Sequence, residues 1–306
     1  MTRFPNPDSG FQTPTEQAAY WFALLLDGSE TEEDRRAFAS WIEKDPRNMT
    51  AFNEVERLWS GSSSLHLAAN NKVGRRAFLG GTVVAGILAT GWGVQRYHPT
   101  ADFRTATGER RELTLPGGMR ALLASGTTMS LVSGQGLAGV ELHEGEVWFD
   151  HSKGNRDFFV AASGARSWSR GGSFDVARYD DQTTVTVEQG SVAVKLADQA
   201  RLVSGGQAVT YHDGKMGAVH DVNIANALAW RDGRLVFVGD KLGDVARILE
   251  RWQLGKIIVI GDHVASRKVT MSVDLDRTRD VLPTLAGALS LKIDQFTDYL
   301  TVIRAA

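Results

Sequence analysis

The sequence predicts a multi-domain protein with a small all-α N-terminal bundle, one transmembrane helix, an all-β domain of sandwich or solenoid type, and an α+β C-terminal module of two βαβ repeats. Three observations lead to this fold class. A charge-free apolar stretch separates a helical pattern from a strand pattern, and a strand–helix–strand pattern occurs twice near the C-terminus. With 306 residues, of which 42% are hydrophobic, the chain is long enough for about two separate cores.

Four segments follow from these patterns. They are a cytoplasmic helical domain at 1–72, the membrane helix with its flanks at 73–98, a periplasmic β-rich domain at 99–219, and the C-terminal module at 220–306.

Composition excludes several functional classes. The 34 Lys and Arg residues against 36 Asp and Glu residues leave a net charge of -2, so the chain has no overall basic field for nucleic acid. Because it contains no cysteine, it has no disulfide, no thiolate nucleophile and no Cys-ligated zinc.

The N-terminal region carries three helix start signals. Thr13-Pro14-Thr15-Glu16 is typical of a capping box with Pro at the first helical position, and that helix is expected to end near Gly28. Thr31, followed by three acidic residues, starts a second helix, and Asp45-Pro46 starts a third. The segment therefore reads as a compact three-helix bundle.

The charge of this bundle favours a protein partner over DNA. Residues 1–73 hold seven basic and eleven acidic side chains, a net charge of -4 that would repel phosphate. Trp is enriched in protein interfaces, so Trp21, Trp41 and Trp59, with Leu25, are candidates for the partner contact. The alternative is that these side chains simply form the core of the bundle.

Residues 77–94, from Ala77 to Val94, are uncharged, and a helix of 18 residues spans roughly 27 Å, the lower limit for a bilayer core. A buried core helix is the alternative, although five glycines disfavour it. Arg75-Arg76 before the stretch resembles a twin-arginine export signal, but its late position favours an anchor. We therefore expect a single-pass inner-membrane protein with a cytoplasmic N-terminus and a periplasmic C-terminus.

One face of the expected span is lined by small residues four positions apart, which would allow a second helix to approach closely. A glycine-rich span without a partner fits the same pattern. The residues of this possible pairing face are Gly81, Ala85, Ala89 and Gly93.

Beyond the span, short alternating runs from Phe103 to about Lys215 predict strands separated by glycine-rich turns. Strand-like 235–238, helix-like 242–252 and strand-like 256–260 then form a βαβ pattern, which repeats 36 residues later. We place the junction between the two regions at Trp230 and Gly233.

Catalytic and cofactor motifs are weak. Gly134 to Gly139 satisfies G-x-G-x-x-G, but a strand rather than a helix is expected after it, so dinucleotide binding is disfavoured. His143-Glu144, with Glu146 and His151, is a weak candidate for a metal site, and the other histidines show no ligand spacing. We expect no enzyme activity, no cofactor and no metal.

Several motifs give the chain a resemblance to the FecR family over roughly residues 16–296. In the helical region they are Ala18, Trp21, Leu25 and Gly28, then Phe38 with Trp41, then Asp45-Pro46 and Leu58-Trp59. In the β-rich region they include Leu113 to Gly118, Gly145-Glu146-Val147, Phe174-Asp175-Val176 and Trp230 to Phe237. Gly117-Gly118-Met119 and Gly171-Gly172-Ser173-Phe174 depart from the family pattern and put the local turn geometry in doubt.

The resemblance implies an anti-sigma factor that regulates transcription. Its helical domain would bind an extracytoplasmic-function sigma factor, and its C-terminal module, similar to the short secretin and TonB N-terminal domain, would act as a periplasmic sensor. That module would meet the signalling domain of a TonB-dependent outer-membrane receptor, expected to be of the iron-siderophore transport type. The alternative functions are a cell-envelope structural or secretion-assembly protein anchored in the inner membrane and, less favoured by the residue inventory, a membrane-anchored hydrolase.

Overall fold

The computed structural model describes residues 11, 13–27, 31–60, 101–134, 137–152, 157–297 and 300–306. They divide into two compact units. The first contains the N-terminal helices with residues 255–260 and 292–306, and the second contains the β-rich domain, from residue 98 to 254, with residues 261–291.

Three helices form the N-terminal region: α1 (Pro14–Asp27), α2 (Glu32–Lys44) and α3 (Pro46–Ser60). The predicted starts are confirmed. Glu16 N donates to Thr13 Oγ1 at 3.3 Å while Thr13 N donates to Glu16 Oε2 at 3.2 Å, which closes the first capping box. Thr31 caps α2 in the same reciprocal way with Asp34.

Both sides of α1 are apolar. One side packs Tyr20, Trp21 and Leu24 against aromatic side chains that include Phe38 and Phe52. The other side joins a cluster with residues of α3 and of the C-terminal strands in the same unit, whose members are Ala18, Ala19, Phe22, Ala51, Val55, Ile258, Leu300 and Val302. Burial on both sides explains why α1 is apolar nearly throughout its length.

A twelve-stranded sheet makes up the β-rich domain, which agrees with the strand pattern of the sequence. Its strands are β1 (Phe103–Arg104), β2 (Arg111–Thr114), β3 (Arg120–Leu123), β4 (Thr128–Gly134), β5 (Leu137–Asp150), β6 (Phe158–Ala162), β7 (Ala165–Tyr179), β8 (Gln182–Leu196), β9 (Gln199–Ser204), β10 (Gln207–His212), β11 (Lys215–Met216) and β12 (His220–Asp221).

Three long strands run through both halves of this sheet. The first part of β5 pairs with β4 and β6, whereas its last residues pair with β3 and β7. The strands β7 and β8 change neighbours in the same way, β8 pairing with β10 in its first half and with β9 in its second. Side chains of both halves form one buried cluster, so the sheet folds over a single core.

Glycines stand where the long strands change direction. Gly145 in β5 has φ +95°, and a Cβ there would lie 2.4 Å from Thr127 Oγ1. Gly172 in β7 has φ +89°, and a Cβ there would lie 2.1 Å from the carbonyl oxygen of Gln189. Only glycine fits these two bends without displacing the neighbouring residues.

The C-terminal region keeps the predicted order of elements but not the predicted pairing. The elements are α4 (Ile224–Ala227), a 3₁₀ turn (Ala229–Asp232), β13 (Arg234–Lys241), α5 (Leu242–Glu250), β14 (Lys256–Val259), α6 (Asp262–Ala265), β15 (Lys268–Asp274), a 3₁₀ turn (Leu275–Arg277), α7 (Thr278–Leu289), β16 (Leu291–Thr297) and β17 (Leu300–Ala305).

Strand, helix and strand do occur twice, as β13–α5–β14 and β15–α7–β16. The two first strands, however, pair with each other, β13 antiparallel to β15. The strand β14 pairs in parallel with β17, which also neighbours β16. The prediction of two βαβ repeats is therefore wrong in its strand pairing, because β13 pairs with β15 and β17 takes the place beside β14.

The membrane prediction is also corrected. No helix in the ranges given above is both long and apolar enough to cross a bilayer. The longest of them, α3, has 15 residues, about 22 Å of helix against a hydrocarbon core of about 30 Å. This finding contradicts the predicted fold class, with its transmembrane helix, and the predicted single-pass inner-membrane localisation. Residues 77–94, Arg75 and Arg76, and the proposed pairing face from Gly81 to Gly93 lie outside the described residues.

Candidate functional site

The strands β5, β7 and β8 carry an apolar face and a polar face. Val147 and Val176 are fully buried in the core of the β-rich domain. The residues that alternate with these valines in each strand point to the opposite face of the sheet. On that face Trp148 of β5 lies directly opposite Asp175 of β7. This outer face therefore collects Glu146, Trp148, Asp175, Tyr179 and Glu188.

Residues 229–252 cover that face, and we call them the covering segment. Trp230, in the 3₁₀ turn, and Trp252, just after α5, are 2% and 5% exposed, and their ring centroids are 6.2 Å apart. They form a cluster with Ala124, against which Trp148 also packs. A face that the alternating pattern would leave in water is thus buried beneath two indoles.

Glu188 of β8 is the anchor for Arg231 of the covering segment. Its Oε2 accepts from Trp148 Nε1 at 2.9 Å and from Ser173 Oγ at 2.8 Å. Arg231 donates Nη1 to Oε2 at 3.1 Å and Nη2 to Oε1 at 2.9 Å, while its guanidinium carbon lies 4.4 Å from the centroid of the Trp148 ring. Burial raises the pKa of Glu188, but the hydrogen bonds from Ser173, Arg231 and Trp148 outweigh it and lower the pKa overall.

Glu146 and Asp175 form an acidic pair that is more deeply buried than Glu188. Burial raises the pKa of both carboxyl groups, and the neighbouring Glu146 carboxylate raises the pKa of Asp175 further. The positive charge of Arg251 lowers the pKa of Glu146 and so opposes the effect of burial. The Tyr179 hydroxyl donates a hydrogen bond to Glu146 Oε2 at 3.2 Å. The Arg251 guanidinium carbon is 3.6 Å from the centroid of the Tyr179 ring.

Three buried polar atoms around this pair have no hydrogen-bond partner: Asp175 Oδ1, Trp230 Nε1 and Arg231 Nε. The Trp230 indole nevertheless lies close enough to lower the pKa of Asp175. A buried carboxyl oxygen without a donor is expensive when it is charged. The arrangement therefore favours a pair that keeps one proton.

The backbone of the covering segment is held as firmly as its side chains. Arg110 donates to the carbonyl oxygens of Trp230 and Arg231 at 3.3 and 3.2 Å, and Ser125 Oγ donates to the carbonyl oxygen of Arg251. Gly233, the other residue of the predicted junction, has φ +79°, and a Cβ there would lie 3.1 Å from Arg110 Nη1. Trp230 and Gly233 thus lie where the covering segment meets the β-rich domain.

The residues predicted to contact a sigma factor lie mostly inside the helical region. Trp21 and Leu25 are 3% and 6% exposed. Trp41 is half-buried, its ring is tilted against that of Trp21 with centroids 6.4 Å apart, and its Nε1 donates to Gln17 Oε1 at 2.7 Å. The Trp59 side chain lies outside the described residues. Their burial fits the alternative of a core, and the contact itself stays a prediction.

The weak metal candidate gains no support. His143 hydrogen-bonds to Ser130 at 2.8 Å, and His151 is buried beside Ser169 at 3.3 Å. Within the described ranges, no group of three or more His, Cys, Asp or Glu side chains is placed to hold a metal ion. The strand β5 follows the glycine motif at Gly134, as expected.

Sequence reasoning missed the buried charges altogether. Glu146, Asp175 and Glu188 occupy alternate positions in strands, where a polar residue normally faces water. The available signal was aromatic: Trp148 shares their outward side, and Trp230 and Trp252 lie in a segment otherwise expected to be a linker and a helix. An outward tryptophan in a strand indicates a second layer.

Comparisons with known proteins agree with this architecture. Residues 101–193 match the family model described as FecR protein, and residues 16–58 match a domain of unknown function, DUF4880. No curated protein matches the chain.

Two crystal structures, both of a "putative anti-sigma factor from Parabacteroides distasonis ATCC 8503", share the fold. Each has a TM-score of 0.57 and covers 67% of this chain and 98% of its own, with 22% and 23% sequence identity. The two family matches confirm the resemblance to the FecR family predicted from the sequence.

Proposed function

We propose that this chain is an anti-sigma factor, a regulatory protein without enzyme activity that binds a sigma factor through its N-terminal helices. The observation that carries the proposal is the pairing of two matches in one chain, the FecR match at 101–193 and the DUF4880 match at 16–58. The fold shared with the two crystal structures supports it, because those proteins carry an anti-sigma description.

The helix α2 offers the best surface for the sigma factor, which we propose to be of the extracytoplasmic-function class. None of its residues is buried. Its first turn carries Glu32, Glu33 and Asp34, two of them exposed, and this acidic end fits a basic patch on a partner. Electrostatic complementarity of this kind raises the association rate and selects the partner.

Co-purification tests this function. The full chain is co-expressed with each sigma factor of this class that the host encodes, and a stable complex with one of them is expected. Glu33→Lys is expected to weaken that complex about tenfold and to raise sigma-dependent reporter activity. Asp198→Lys, in the exposed β8–β9 turn, is the matched control and is expected to leave both unchanged. Failure of every sigma factor to co-purify with the native chain would contradict the proposal.

We further propose that the β13–β15 sheet receives the signal, from the signalling domain of a TonB-dependent receptor of the iron-siderophore type. The family resemblance supports this partner, and the sheet offers a physical route. Within the described residues it has two strands only, so both outer edges remain open to an added strand. Val238 on β13 is 64% exposed.

A matched pair of exposed aliphatic residues tests the route. Val238→Asp is expected to reduce the transcriptional response to the inducing siderophore at least fivefold, because a charge there opposes an apolar strand contact. Leu202→Asp changes a residue that is 65% exposed on β9, and it is expected to leave the response intact. Equal responses from the two variants would argue against a receptor contact at β13.

A further inference from the structure

The covering segment is attached to the β-rich domain by charge rather than by apolar packing alone. Three carboxyl groups of the domain, Glu146, Asp175 and Glu188, face two guanidinium groups of the segment, Arg231 and Arg251. If all three acids were ionised, the buried joint would carry one uncompensated negative charge. One retained proton on the Glu146–Asp175 pair balances it.

Among the residues that the structure describes, no other ionisable group facing these acids supplies the balance. Besides the acids and the two arginines, Tyr179 faces Glu146, and burial raises the pKa of its hydroxyl well above the ordinary value. Arg110 lies behind the segment, where it binds backbone carbonyl oxygens and pairs with Asp276 at 3.8 Å. Neither group compensates a negative charge on Asp175.

We propose that residues 229–252 form a releasable latch on the β-rich domain, which Arg231 and Arg251 close and which loosens when the Glu146–Asp175 pair loses its shared proton. Loss of the proton leaves two neighbouring negative charges in a buried place, where Asp175 Oδ1 has no hydrogen-bond partner. Opening lets water solvate both. The latch thereby ties the position of residues 229–252, which contain β13 and α5, to proton concentration.

The direction of the effect follows from linkage. In the closed latch the pKa of Asp175 lies well above its ordinary value, and in the open latch it returns towards about 3.9. Closure is therefore fully favourable below the ordinary carboxyl pKa and weakens as the pH rises to the raised pKa of the closed state. Between those limits the opening equilibrium constant rises about tenfold per pH unit, since opening releases one proton.

Hydrogen–deuterium exchange of the full chain measures the opening directly. Exchange is followed from pH 5 to 9 and corrected for the intrinsic pH dependence of amide exchange. Peptides within 229–252 are expected to exchange progressively faster with rising pH. Peptides from the β7–β8 hairpin, 173–187, are expected to show no such trend and report on the integrity of the domain.

Two variants separate the shared proton from the ion pair. Asp175→Asn has no proton to lose and is expected to abolish the pH trend in 229–252, and Glu146→Gln carries the same expectation should that variant fail to fold. Arg231→Met weakens closure by removing the other half of the Glu188 ion pair but leaves all three acids in place, so it is expected to raise exchange at every pH while keeping the trend. Asp198→Asn, exposed in the same domain, is the control and is expected to behave as native.

The proposal is overturned if corrected exchange in 229–252 is independent of pH in the native chain. It is equally overturned if Asp175→Asn retains the native trend. Neither readout involves a sigma factor or a receptor, so the latch can fail while the proposed function stands.

Discussion

The ion pair between Arg231 and Glu188 is expected to stabilise the β-rich domain measurably. Breaking a fully buried pair costs about 3–5 kcal/mol. Both side chains here keep some contact with water, with 22% and 20% of their surface exposed, so we reduce the expected cost to about 2 kcal/mol. Arg231→Met removes the guanidinium that lies over the Trp148 ring but keeps an apolar stem, and Glu188→Gln retains an acceptor for the Trp148 and Ser173 donors.

A double-mutant cycle isolates the pair. The free energy of unfolding of the full chain is measured by urea denaturation for the native protein, both single variants and the double variant, and a coupling energy of about 1–2 kcal/mol is expected. The exposed pair of Arg35 and Glu32, with 56% and 75% of these side chains exposed, is the control and is expected to give no more than about 0.5 kcal/mol. Equal coupling at the two pairs would refute the argument.

Three further predictions concern the backbone, acid stability and a helix cap. Gly172→Ala is expected to lower the free energy of unfolding in urea by well over the ~1–2 kcal/mol that a positive φ alone costs, because its Cβ would lie 2.1 Å from a backbone oxygen. Gly118 has φ +80° with open space around it, so Gly118→Ala is the control and is expected to cost only the ~1–2 kcal/mol of the positive φ. Burial raises the pKa of Asp150, but hydrogen bonds, including one from Arg120, outweigh it and lower the pKa to about 2. The ionised carboxylate therefore stabilises the native chain above pH 4, and this stability is lost as the pH falls from 4 to 2. Asp150→Asn is expected to lack this contribution, which acid titration of unfolding measures. Thr31→Ala removes the cap of α2, and about 1 kcal/mol less protection of its first-turn amides is expected by hydrogen exchange. Unchanged protection there would contradict the role of the cap.

The helix starts and most strands were predictable because their signals are local. Thr13 and Thr31 act within one turn of the chain, and the alternation in β5 is visible without knowledge of its neighbours. Such short-range chemistry can be read directly from the residue order.

The sheet pairing and the buried charges were not predictable, because they depend on contacts between distant residues. Arg231 meets Glu188 across 43 positions of the chain, and no local pattern indicates that partner. The strand β17, a short apolar run at Leu300–Ala305, changed the pairing of β14 although it lies outside the repeat. A repeat in sequence predicts the order of the elements, but which strand pairs with which depends on the whole fold.

The strands β7 and β8 have a mechanical consequence, since each passes through both halves of the sheet without interruption. Neither half can detach while its partner remains folded, because the same backbone belongs to both. Force or binding energy applied at one end therefore reaches the other through continuous main chain.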